Sequence, residues 1–143
     1  MRAIWIGAAA ALVMFAASAA GAATLHFSTV LKGGDEVPAT DSKGTGKVDA
    51  TLDTASKSFS YTVTYSGLTG PATMAHFHGP AAAGANAGVQ VPVPMAALAS
   101  PMKGTVALTD TQVADLEAGK WYFNIHTAAH PGGEVRGQLT ETK

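Results

Sequence analysis

The stretch "MAHFHGP" (residues 74–80) sets two histidines one residue apart in a segment that reads as a strand. Side chains at i and i+2 of a strand point the same way, so His76 and His78 share a face with Met74, while Ala75 and Phe77 take the other. Paired imidazoles on one rigid element offer two neutral nitrogen donors, a donor type that suits Zn(II) and Cu(II). Two more histidines stand downstream, His126 in "KWYFNIHT" (120–127) and His130 in the turn "HPGG" (130–133). A third imidazole from a neighbouring strand would complete a three-nitrogen site, with His130 or water in the fourth position. The competing reading is a hydrogen-bonded polar face without an ion. Only the metal site requires nitrogens to converge about 2.0–2.1 Å from one point.

Glu134 and Arg136 flank Val135 and share a face of the last strand. One reading is a salt bridge, which when exposed contributes about 0–1 kcal/mol. The other makes Glu134 the carboxylate that orients His126 beside a metal, with Arg136 holding Glu134. Met74, Met95 and Met102 form no methionine-rich motif, and gap-filling in the core accounts for them better than Cu(I) binding. No G-x-S-x-G elbow, H-E-x-x-H pair or phosphate-cradling glycine loop is present, so no catalytic residue is assigned.

The elements that must position these residues read as short strands. "LHFSTVL" (25–31) runs into a Gly-Gly turn and Pro38, "TGKVDATLD" (45–53) follows, and "KSFSYTVTYSGL" (57–68) alternates Phe59, Tyr61, Val63 and Tyr65 with hydroxyl residues. "ATMAHFHG" carries the histidine pair. The Ala-, Gly- and Pro-rich run 80–101 is loop with a short strand near Val89–Val93, and "KGTVALT" (103–109) is strand-like. In "TDTQVADLEAG", Thr109 and Gln112 form a capping box and Gly119 suits a left-handed stop, which predicts one short helix. Trp121, Phe123 and Ile125 then oppose Tyr122, Asn124 and His126, and a tight turn leads to "EVRGQLT", so the last two strands pair as a hairpin that puts His126 on the face of Glu134 and Arg136. The pattern predicts an all-β fold, an antiparallel sandwich or barrel.

Residues 1–23 read as a secretory signal peptide: a short basic start, the apolar run "AIWIGAAAALVMFAASAAGAA", and small residues that place cleavage after Ala22 or Ala23. An uncleaved anchor is the alternative. Without Arg2, 8 basic residues face 10 acidic ones, a net charge of −2, with no basic patch, which argues against nucleic acid as a partner. Residues 24–143 are one domain by size, and without cysteine they rely on apolar packing and a metal, if one binds. The expected location is the periplasm or outside the cell, free of the membrane once the leader is removed.

Four blocks in order, "LKGGDEVPA", "MAHFHGPAAAGANAGV", "GTVALTDTQVADLEAGKWYFNIHT" and "HPGGEVRGQL", resemble the CHRD domain, the module named for animal chordin and found in secreted bacterial proteins. The resemblance spans residues 25–140 and implies a single β-sandwich domain, immunoglobulin-like in character; with the strand pattern and the capped helix, the expected fold is an antiparallel Greek-key β-sandwich, immunoglobulin-like or superoxide-dismutase-like, with one short connecting helix. Its characteristic positions fall on His76, His78, His126, Glu134 and Arg136; His130 stands where the family varies. Animal relatives act in extracellular protein recognition, whereas bacterial single-domain members generally lack an assigned activity. The H-x-H strand is also similar to the copper-binding strand of Cu/Zn superoxide dismutase, though this chain lacks that enzyme's cysteines and full ligand series. The expectation is therefore an exported domain binding one copper ion, or zinc, for storage, delivery or buffering. Its alternatives are a metal-free recognition or structural module partnered by another exported protein, and a small metalloenzyme acting on oxygen species.

Overall fold

Alternation in "SFSYTVTYS" puts Phe59, Tyr61 and Val63 on one side of a strand, and in the computed structural model all three are buried. The structure describes residues 21–143. Of the expected leader, residues 1–20 lie outside the described residues. Nine strands and one helix follow in the order β1 (Thr24–Lys32), β2 (Thr45–Asp53), β3 (Ser58–Ser66), β4 (Ala72–His78), β5 (Val89–Pro92), β6 (Met102–Ala107), α1 (Asp110–Glu117), β7 (Tyr122–Thr127), β8 (Val135–Gln138) and β9 (Thr140–Thr142). The Thr109–Gln112 capping box and the positive φ of Gly119 bound α1 as the sequence predicts.

Every pairing is antiparallel, and the ladder runs β5-β4-β7-β8-β1-β2-β3-β6, with β9 joining β1. The C-terminal strands close the free edge of β1: Arg136 pairs with Lys32, and Thr140–Thr142 with Ser28–His26. One hydrogen-bonded sheet thus folds over on itself, nearly closed into a barrel, an all-β antiparallel architecture with one short helix as the sequence predicts.

The fold-over brings the apolar faces of the two halves together. Phe59 of β3 meets Phe77 of β4 edge-on at 5.1 Å and Trp121 at 5.8 Å, while Tyr61 meets Phe77 at 5.0 Å. Edge-to-face rings at such separations contribute about 0.5–1.5 kcal/mol each beyond the area they bury. Phe77, Trp121, Phe123 and Ile125 are fully buried, so the strand residues that alternate with the histidines anchor β4 and β7 to the core. The opposite face of β7 is buried as well, because the chain between β4 and β5 lies across it.

Candidate metal centre

β4 and β7 pair with Met74 opposite His126, His76 opposite Asn124 and His78 opposite Tyr122. Directly opposed residues share a face, so all three imidazoles stand on one side of two adjacent strands. The His76 ring lies 5.3 Å from that of His78 and 5.1 Å from that of His126. One ligand-capable nitrogen from each of the three falls within 4.8 Å of the others. Tetrahedral ligands about 2.0–2.1 Å from one ion stand roughly 3.4 Å apart, so side-chain rotation of up to about 1.4 Å would close the set.

His78 and His126 bind their surroundings in the same way. His78 Nδ1 lies 3.0 Å from the Ala87 carbonyl and His126 Nδ1 lies 2.9 Å from the Pro131 carbonyl. Their other nitrogens face one atom, Asn124 Oδ1, at 2.9 Å from His78 Nε2 and 3.1 Å from His126 Nε2. A carbonyl oxygen can only accept, and a neutral imidazole has one N–H to give. If each ring donates from Nδ1 to its backbone carbonyl, both Nε2 lone pairs are left aimed at an oxygen. His76 adds a buried Nδ1 with no hydrogen-bond partner. Protonation would satisfy the rings, but burial opposes it. Burial first, then the neighbouring His126 and His78, push His76 down to about 4. Burial also lowers His78, outweighing the hydrogen bonds to Ala87 and Asn124 that favour its charged form.

The cover is built from the segment that the sequence marks only as loop. Ala87 receives His78 Nδ1 and the Tyr122 hydroxyl, and Gln138 Nε2 donates to the Ala81 carbonyl at 2.8 Å. Arg136 donates from Nη1 to Asn86 Oδ1 at 2.8 Å and from Nη2 to the Ala85 carbonyl. Its guanidinium rests 3.5 Å from the Tyr122 ring centroid, and that ring stacks on His78 at 4.8 Å.

Three sequence-derived assignments change. Glu134 does not orient His126; its carboxylate accepts from Ser42 Oγ at 2.9 Å, Thr127 Oγ1 at 2.8 Å, Thr69 N at 3.0 Å and Thr69 Oγ1. Thr127 lies on the opposite face of β7 from His126, and Glu134, just ahead of β8, turns to Thr127's side, so strand alternation does not carry through the turn. Arg136 is on the histidine face but holds the covering segment, and no Glu134–Arg136 ion pair forms among the described residues. His130 stands outside the trio, with Nε2 4.0 Å from Glu134 Oε1. Met102 is fully buried as a gap-filler, whereas Met74 and Met95 are exposed. Asn124 was visible in the "YFNIHT" alternation, but an amide among imidazoles carries no spacing signal.

The CHRD domain family matches residues 27–139. The chain belongs to the CHRD domain family. No curated protein and no solved structure matches it. In this CHRD domain the "MAHFHGP" and "NIHT" blocks form adjacent strands of one site, "GANAG" lies over it, and Arg136 of "GGEVRGQL" fastens that cover.

Proposed function

We propose that this CHRD domain binds one transition metal ion, copper before zinc, through His76, His78 and His126, and serves metal storage, delivery or buffering. The observation that carries the reading is the orientation of His78 and His126. Each turns Nδ1 to a backbone carbonyl and Nε2 to a shared point, the arrangement that fixes tautomer and ring in metal-bound histidines. Nitrogen donors place copper ahead of zinc by the Irving–Williams order. The apolar leader supports export to the periplasm or beyond, where free metal would be met. The facing aromatic layers support a Greek-key sandwich of immunoglobulin-like or superoxide-dismutase-like type that keeps one hydrogen-bonded seam.

The rival is a metal-free polar network supporting recognition of another exported protein. It is favoured by the fact that both nitrogens of His78 and of His126 already have polar neighbours. Titration calorimetry of the metal-free protein with Cu(II) and Zn(II) separates the two. The metal reading expects saturable one-to-one binding that His76→Ala and His126→Ala each weaken at least tenfold. Folded wild-type protein that binds neither ion saturably would leave the network reading standing alone.

A further inference from the structure

Asn124 Oδ1 lies 2.9 and 3.1 Å from the Nε2 atoms of His78 and His126. Two donors about 2.0–2.2 Å from one ion stand about 2.9–3.1 Å apart when roughly at right angles, the tetragonal arrangement of Cu(II), and about 3.4 Å apart when tetrahedral. These separations therefore match adjacent ligands on a shared ion as well as they match hydrogen bonds. With Nδ1–H given to Ala87 and Pro131, the two imidazole lone pairs and the amide oxygen lone pairs converge without a hydrogen between them, and a cation resolves that convergence.

Glu36 of the "KGGDEVP" turn stands beside the amide of Asn124. Glu36 is only 5% exposed, and its Oε1 has no well-formed hydrogen bond. Glu36 Oε1 and Asn124 Nδ2 both border the space beside Gly133, where a Cβ would strike the first and lie 2.6 Å from the second. A carboxylate beside Nδ2 favours the amide with its NH2 toward Glu36 and its oxygen toward the histidines. The reverse orientation would set oxygen against oxygen. Arg136 acts electrostatically on both Glu36 and His78, lowering each.

We infer that Asn124 supplies an oxygen ligand to the ion held by the histidine trio, and that Glu36 is the positioning residue that keeps that oxygen turned inward. The inference rests on the metal reading above. Three imidazoles with one amide oxygen suit a divalent copper or zinc ion better than Cu(I), which favours soft sulfur donors.

The test uses Zn(II) and Cu(II) with wild type, Asn124→Ala, Asn124→Asp, Glu36→Met and the double variant Glu36→Met/Asn124→Ala. In wild type, Zn(II) should shift the side-chain carbonyl carbon resonance of Asn124, a readout that needs no substitution. Asn124→Ala should weaken both ions about tenfold or more and alter the Cu(II) electron paramagnetic resonance spectrum, while Asn124→Asp, which keeps an oxygen, should bind at least as tightly as wild type. Glu36→Met should weaken binding in the wild-type background and not further in the Asn124→Ala background. If wild type binds and the Asn124 carbonyl does not respond, or Asn124→Ala binds within twofold of wild type, the oxygen ligand is overturned and the histidine trio stands. Equal losses from Glu36→Met in both backgrounds would remove Glu36 from the assignment. Absence of saturable binding in wild type overturns the metal reading and this inference together.

Discussion

His76 and His78 are kept neutral at the cost of stability in acid. An unfolded histidine takes up its proton near 6.5, whereas in the folded protein burial and the neighbouring rings hold His76 down to about 4. Between those values the unfolded state binds more protons than the folded one, so stability is complete above about pH 6.5 and declines as pH falls toward 4. His78, lowered chiefly by burial, adds in the same direction. Glu134 acts at lower pH. Burial pushes it up, but hydrogen bonds from Thr69, Thr127 and Ser42 prevail and hold it below its usual 4.5, so its contribution persists until pH falls below that value. Thermal unfolding of metal-free protein should therefore lose midpoint between pH 6.5 and 4.5, and His76→Gln should flatten that slope. An unchanged slope in the variant would show that His76 is not held neutral by the fold.

At the scale of elements, Arg136 is one of several side chains that fasten the covering segment between β4 and β5, with Tyr122 and Gln138. A forked guanidinium reaches Asn86 and Ala85 while lying flat against Tyr122, and an ammonium can do neither in that way. Arg136→Lys should cost about 1.5–3 kcal/mol, read by urea unfolding, as hydrogen bonds from a charged group are lost. Amide exchange should rise at Ala85–Ala87 well before it rises in β3. Exchange unchanged at Ala85–Ala87 would mean that packing, and not Arg136, holds the segment. Gly79 opens this segment because nothing larger fits there: a Cβ would meet Trp121 and the Lys120 carbonyl. The same tryptophan that anchors the core thus sets where the cover begins.

For the whole molecule, apolar packing and the metal reading make separate contributions. The apolar core is contributed by both halves of the sheet, while His78 and His126 are buried on the opposite face of β4 and β7. An ion that binds only the folded state still stabilises it, by about 2.7 kcal/mol when free ion is one hundred times Kd. For a domain of this size that should raise Tm by roughly 10 °C, and a chelator should reverse the change. His126→Ala should lower the metal-free Tm, because the ring is buried between Pro131 and Asn124, and measured from that lower value it should lose most of the metal increment. A chelator-insensitive Tm in wild type would count against a site in the folded protein.

Period-2 alternation and turn residues were enough to place the strands, the capped helix and the shared face of His76 and His78, because these follow from geometry between near neighbours in the chain. The final hairpin was legible for the same reason, and Ile125 does pair with Val135. Glu134 was misread because a residue at the edge of a turn is free to leave the face that alternation assigns it. Only the tertiary structure decided that the sheet folds over nearly into a barrel, that residues 79–88 cover the polar face of β7, and that Asn124 and Glu36 stand behind the histidines. Those contacts join residues tens of positions apart. No local pattern encodes them, since they depend on which faces the folded sheet brings together and which polar groups must then find partners away from water.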